Sequence, residues 1–192
     1  MRKKIRLAIE EKHLENEKGT LQIRKAIQMK ILIASDTHSR DKNLLEVIDK
    51  EEPIDMFIHL GDLETEESVN RFRNATPAKC SVFMVRGNND YMLKLDDSKE
   101  VKIGKYKAFI THGHIYGVSM GVDMLKEEAK RRNCDIAMFG HTHRPFLENV
   151  DGVIILNPGS ISYPRQDNRK PSYLIMTVDG KTGELNFEHK YL

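Results

Sequence analysis

The chain has no apolar run approaching the roughly 20 residues that a membrane-spanning helix needs, so no membrane association is expected. A secretory leader is not expected either. After Met1-Arg2-Lys3-Lys4, the apolar stretch from Ile5 to Ile9 is interrupted by Arg6 and stopped by Glu10, Glu11 and Lys12. It is too short for the apolar core of a leader, and the expectation is a cytoplasmic protein. Cysteine is scarce: Cys80 and Cys134 form neither a C-x-x-C pair nor a zinc-finger spacing. They read as free, mostly buried thiols in a reducing compartment. Charge of one sign is also scarce. The net charge of +2 gives no electrostatic footprint for nucleic acid, so long nucleic acid is not expected as a partner. No G-x-S-x-G elbow offers a serine nucleophile, and there is no internal repeat or low-complexity tract.

What is present suits one compact domain. A chain of 192 residues buries a sizeable core but is short for two ordinary domains. Residues 1–28 stand apart: they hold eight Lys/Arg against four Glu, and only scattered aliphatics. They read as a basic appendage, helical or an interaction arm, or as the product of an upstream start codon with Met29 the true start. From Met29 to Leu192 the pattern is that of a folded domain. Short apolar runs at 30–35, 56–60, 82–85 and 136–139 read as buried strands, and 100–103 with 106–111 as a hairpin turning at Gly104-Lys105. Helical periodicity falls at 41–51, 64–74 and 119–132. The last fifty residues read as strands at 146–149, 153–156, 172–178 and 185–189, with turn signals at Asp151-Gly152 and at 179–183. Alternating β/α units followed by a meander predict an α/β (α+β) fold of two packed sheets with helices outside.

Five strand ends carry polar groups: Asp36-Thr37-His38, Gly61-Asp62, Gly87-Asn88-Asn89-Asp90, His112-Gly113-His114 and Gly140-His141-Thr142-His143. Ligands bind at the carboxyl ends of strands in open α/β sheets. In extended backbone, residues two apart point to one side, so Asp36 with His38, and His141 with His143, can each reach a shared centre. Carboxylate and imidazole together suit divalent Mn, Fe, Co, Ni or Zn, and the two oxygens of Asp62 can bridge two ions. A single buried His is more often a hydrogen-bonded core residue, and a lone Gly-Asp is usually a turn. The joint event differs, because Asp, His and Asn converging on one rim repel or stay unsatisfied without a cation.

In this order the motifs resemble the calcineurin-like metallophosphoesterase superfamily, whose pattern is D-x-H, G-D, G-N-H-D/E, a G-H or H-G-H, and G-H-x-H. The resemblance spans residues 29–192 and is strongest for the small bacterial and archaeal phosphodiesterase branch. Asn157-Pro158-Gly159-Ser160 followed by Ser162-Tyr163-Pro164-Arg165 resembles the loop near the site in that branch. The resemblance implies a four-layer sandwich of two mixed β-sheets flanked by helices. It also implies one ion held by Asp36, His38, Asp62 and His143, and a second held by Asp62, Asn88, His112 and His141. Asn89 stands where many relatives place a histidine that protonates the leaving group or holds phosphate, and Asp90 can orient a ligand through a hydrogen bond.

The mechanism expected is in-line hydrolysis of a small phosphodiester or phosphomonoester. The nucleophile would be a hydroxide bridging two metals about 3.5–4 Å apart, so Asp62 has a catalytic as well as a ligand role. His114 is the candidate proton donor, with support of the His112 loop as its other reading. Arg165 and Asn89 are the candidate substrate-binding residues, Arg165 through bidentate contact with phosphate. His59 reads as a core residue, and His13 and His189 as surface residues. The rival class is a non-catalytic protein-binding scaffold of the same fold, as in the small retromer subunit. A single-metal hydrolase is a third reading, and a homo-oligomer is compatible with the resemblance.

Overall fold

The computed structural model describes residues 28–192; the segment read as an appendage falls outside it except for Gln28, where β1 starts. Strand β1 (Gln28–Ala34) buries Ile31, Leu32, Ile33 and Ala34 completely, because both of its faces are covered. It pairs in parallel with β2 (Met56–His59) and β2 with β3 (Ser81–Met84). On its other side it runs antiparallel to β9 (Ser172–Asp179), which is edged by β10 (Leu185–Tyr191). The order of this sheet is β10-β9-β1-β2-β3.

The second sheet begins with the expected hairpin, β4 (Ser98–Ile103) and β5 (Tyr106–Thr111). It continues through β6 (Ile136–Met138) to β8 (Val153–Pro158) and ends at β7 (Pro145–Val150), in the order β4-β5-β6-β8-β7. Strands β5, β6 and β8 are parallel, so both sheets are mixed.

Alternation along the strands divides the core into three. Ile31, Ile33, Ile58 and Leu60 meet Val101, Ile103, Ile110, Met138 and Leu156 between the sheets. Leu32, Phe57, Tyr173 and Ile175 face the other way, onto Leu44, Val47 and Ile48 of α1 (Lys42–Glu51) and Val69 and Phe72 of α2 (Glu66–Ala75). Phe109, Ala137 and Ile155 pack on Leu125 and Ala129 of α3 (Asp123–Arg131). The layers are therefore helix, sheet, sheet, helix, as the resemblance implied. Each fully buried aliphatic or aromatic side chain contributes about 1.5–3 kcal/mol.

Local chemistry sets the helix ends. Thr65 caps α2, accepting the Ser68 N–H at 3.1 Å, and Glu66 and Glu67 occupy the first turn, where acidic groups favour the helix dipole. Asp41 makes no such cap for α1; it accepts the Ser68 hydroxyl at 2.8 Å and pairs with Arg71, tying the two helices together. The third helix starts four residues later than periodicity suggested. Gly117 and Gly121 take φ of 61° and 151°, and a 3-10 turn at His114–Tyr116 precedes them. Glu51 ends α1 only 3% exposed, accepting the Tyr173 hydroxyl at 2.7 Å and pairing with Lys30 at 2.8 Å and Lys190 at 3.1 Å. His189 is half-buried rather than at the surface, because its Nε2 reaches the Asn157 carbonyl at 2.8 Å. Among the described residues no helix is long and apolar enough to cross a membrane.

Candidate metal centre

The loops after β1, β2 and β3 are stitched to one another. Asp36 N–H donates to Gly61 O at 3.0 Å, and His38 N–H to Asp62 O at 2.9 Å. Asp90 is fully buried and accepts three backbone donors: Asp62 and Gly87 N–H at 2.8 Å each, and Glu64 N–H at 2.6 Å. The glycines permit this closeness. A Cβ on Gly61 would lie 2.7 Å from Gly87 N, and one on Gly87 would lie 2.2 Å from Asp62 Oδ1.

The backbone of the candidate ligands is not extended. Asp36, His38, Asp62, His141 and His143 have φ of 59°, 47°, 58°, 63° and 59°, all left-handed. The same-side argument for residues two apart therefore fails in its premise. Asp36 and His38 do share a centre, but through left-handed turns that swing each side chain inward. His141 and His143 part company, each joining a different cluster.

In the first cluster Asp36, His38, Asp62 and His143 each offer a ligand atom, all within 4.8 Å of one another. His143 Nδ1 donates to Tyr163 O at 2.6 Å and His38 Nδ1 to Glu64 Oε1 at 2.8 Å. These bonds leave the Nε2 lone pairs facing inward. The two Nε2 atoms are 3.2 Å apart, a distance that two bare lone pairs do not tolerate without a proton or cation between them. His143 Nε2 also lies 3.1 Å from Asp36 Oδ1.

The second cluster centres on Asn88. Its Oδ1 is 3.2 Å from His112 Nε2 and 2.9 Å from His141 Nδ1. His112 Nδ1 donates to Leu60 O at 2.6 Å, again turning Nε2 inward. Asp62 Oδ2 stands between the clusters, 3.7 Å from His38 Nε2 and 3.5 Å from His112 Nε2.

The electrostatics bear on whether a cation fits. Neither oxygen of Asp36 is exposed to solvent or makes a hydrogen bond, which is costly for a carboxylate. Burial works against its charge, yet the His143 and His112 imidazoles hold its pKa below the usual carboxylate value. The same opposition acts at Asp62, where burial is outweighed by His112 and the Asn89 bonds, and the pKa again falls. For His112, burial disfavours the charged ring, but Asp62 and Asp36 push its pKa up to about 8. Acidic oxygens without partners and inward imidazole lone pairs form a donor set that fits divalent metal.

The other sequence candidates lie nearby. Asn89 binds Asp62 itself, through its N–H at 2.9 Å and its amide at 2.7 Å. The ring centroid of His114 is 5.5 Å from that of His112, its Nδ1 is buried without a partner, and burial followed by His112 lowers its pKa. Arg165 lines a cleft of about 540 Å³ with His38, His143 and Tyr163. His59 is fully buried and stacks on Phe72 at 5.9 Å; burial takes its pKa down to about 3. One residue escaped the sequence reading, and another was read only as part of the loop near the site. Glu64 orients His38, and its signal was a carboxylate two residues past the Gly-Asp motif. Asn157 Nδ2 clamps Gly140 O at 2.7 Å and Thr142 Oγ1 at 3.0 Å.

The chain belongs to the calcineurin-like phosphoesterase superfamily, whose domain matches residues 29–181. It is 31% identical to the probable metallophosphoesterase YsnB of Bacillus subtilis over 160 residues, 83% of this chain and 90% of that protein. It is 33% identical over 147 residues to a phosphodiesterase of Methanocaldococcus jannaschii, 68% of this chain and 83% of that one. Vacuolar protein sorting 29 of Cryptosporidium parvum shares the fold at 21% identity, with a TM-score of 0.68 over 86% of this chain and 98% of that one.

Proposed function

We propose that this chain is a metal-dependent phosphodiesterase acting on small phosphate esters with two divalent ions. The observation that carries the reading is the buried Asp36 carboxylate without a hydrogen bond, set against inward-turned lone pairs of His38 and His143. Asp36, His38, Asp62 and His143 would hold one ion, and Asp62, Asn88, His112 and His141 the other. When bound, the ions supply Lewis acidity toward a phosphoryl oxygen and a lowered pKa for water. The protein's own groups position the ester. Arg165 offers paired N–H donors to a phosphate oxygen from the wall of the first cleft. Asn89 steadies the Asp62 carboxylate and presents its amide at the edge of the site. His114 donates a proton to the leaving oxygen; its lowered pKa makes it a stronger acid with a smaller protonated fraction.

The scaffold reading rests on a likeness of fold alone, and it predicts lost ligands, whereas all seven ligand positions are filled here. Hydrolysis of bis-para-nitrophenyl phosphate with Mn²⁺ or Ni²⁺ tests the proposal. Chelation, Asp62→Asn and His141→Ala should each lower kcat/KM by about 100-fold or more. Undiminished activity after chelation or in both variants defeats it. Two metals per chain by elemental analysis support the dinuclear form, and one supports a single-metal hydrolase.

A further inference from the structure

A second cleft, of about 640 Å³, opens on the far side of the Gly140–His143 turn. Its floor is apolar, formed by Val118, Val122, Phe139 and Phe146, while the exposed Arg144, Arg165 and Glu148 supply its charged rim. Phe139 is 2% exposed and Val118 6%, whereas Phe146 and Val122 are half-buried and open to the cleft. Phe139 and Phe146 lie with ring centroids 5.9 Å apart. A volume and lining of this kind are typical of small-molecule sites.

The cleft adjoins the candidate metal centre. Thr142 lines it and lies between His141 and His143. Arg165 lines both clefts, and its backbone N–H donates to His143 O at 3.0 Å. The shared wall is fixed, because Asn157 Nδ2 binds both Gly140 O and Thr142 Oγ1. A phosphodiester seated at the metals has two ester arms; one that passes over Thr142 enters the apolar cleft, leaving the phosphate beside Arg165.

We infer that this second cleft is the subsite for a flat aromatic ester arm, an aryl group or a nucleobase, of the phosphodiester substrate. The inference rests on the phosphodiesterase reading and adds the class of substrate. A ring satisfies floor and rim together: its face packs on Phe146 and Val122, and the guanidinium groups of Arg144 and Arg165 stack on it or reach its polar edge. A plain alkyl chain covers the same floor but offers the rim nothing to bind.

The test uses Mn²⁺-loaded full-length protein and para-nitrophenyl diesters that release the same nitrophenolate. They differ in the second arm, which is methyl, n-hexyl, phenyl or thymidine 5′. The ring-bearing arms should exceed methyl and hexyl in kcat/KM by about 10-fold or more, with phenyl against thymidine separating aryl from nucleobase. In Phe146→Ala and Val122→Gln the ring-to-methyl ratio should fall toward unity. A readout independent of turnover accompanies this. Phenyl phosphate titrated into metal-free protein should shift the amide signals of Val118, Ser119, Val122 and Phe146. Hydrolysis of all four diesters at similar rates, or hexyl leading, overturns the subsite while leaving the phosphodiesterase reading intact. Failure to cleave any of them overturns both.

Discussion

Removing the Asp90 carboxylate should loosen two loops at once, those after β2 and β3. It is fully buried and takes the N–H groups of Asp62, Gly87 and Glu64 at 2.8, 2.8 and 2.6 Å. A hydrogen bond to a charged group contributes about 1.5–3 kcal/mol, so three independent bonds would set a ceiling near 9 kcal/mol. They are not independent, because all three donors lie on loops stitched by other backbone bonds and can relax together. Asp90→Ala should therefore cost about 3–5 kcal/mol. Asp90→Asn keeps one oxygen for Asp62 and Gly87 but turns an amide N–H₂ toward the Glu64 donor, and should cost about 2–3 kcal/mol. The effect on metal should be larger in proportion, because Asp62 faces both clusters; affinity should drop about 10–100-fold, as when an outer hydrogen-bond partner of a ligand is lost. Urea denaturation of the metal-free protein gives the first quantity, and calorimetric Mn²⁺ titration gives the second. Asp90→Ala within about 1 kcal/mol of wild type, with unchanged Mn²⁺ affinity, would show that Asp90 does not hold these loops.

Two further expectations concern close packing and pH. Gly87→Ala would place a Cβ 2.4 Å from Asp62 N and 2.2 Å from its Oδ1, so the Asp62 loop must shift. The variant should lose about 1–3 kcal/mol in chemical denaturation, and Mn²⁺ binding should weaken with it. Glu51 is buried, which opposes its charge, but Lys30, Tyr173 and Lys190 bring its pKa down from 4.5 to about 2. A depressed carboxylate stabilises the fold above its unfolded pKa and ceases to as pH falls toward the folded value. Glu51→Gln should thus be less stable than wild type by about 1–2 kcal/mol at pH 7, with the gap closing between about pH 4.5 and 2 in thermal melts.

The strands and the motifs at their ends were legible because both are local signals. A short aliphatic run followed by glycine and a carboxylate or imidazole requires no knowledge of the partner strand. What the sequence hid depends on backbone conformation or on long-range contact. The left-handed turns at Asp36 and His38 are invisible to a pattern that assumes pleated strands, so pairing them by residue spacing reached a shared centre by an incorrect route. The late start of α3 follows from the angles of Gly117 and Gly121, which outweigh the apolar spacing of Val122, Leu125 and Ala129. Glu64 meets His38 across 26 residues, and His189 meets Asn157 across 32, contacts that only the assembled sheets create.

The left-handed conformation of five candidate ligands also bears on how this fold could be altered. Such angles cost roughly 1–2 kcal/mol per residue for ordinary side chains, and the surrounding sheets must absorb that cost. Glycine at Asp36 or His141 would relieve it, so a screen for thermal tolerance alone would drift toward a sturdier, inert shell. Selection for robustness and selection for chemistry pull in opposite directions at these positions, and a library meant to harden the protein should leave them fixed.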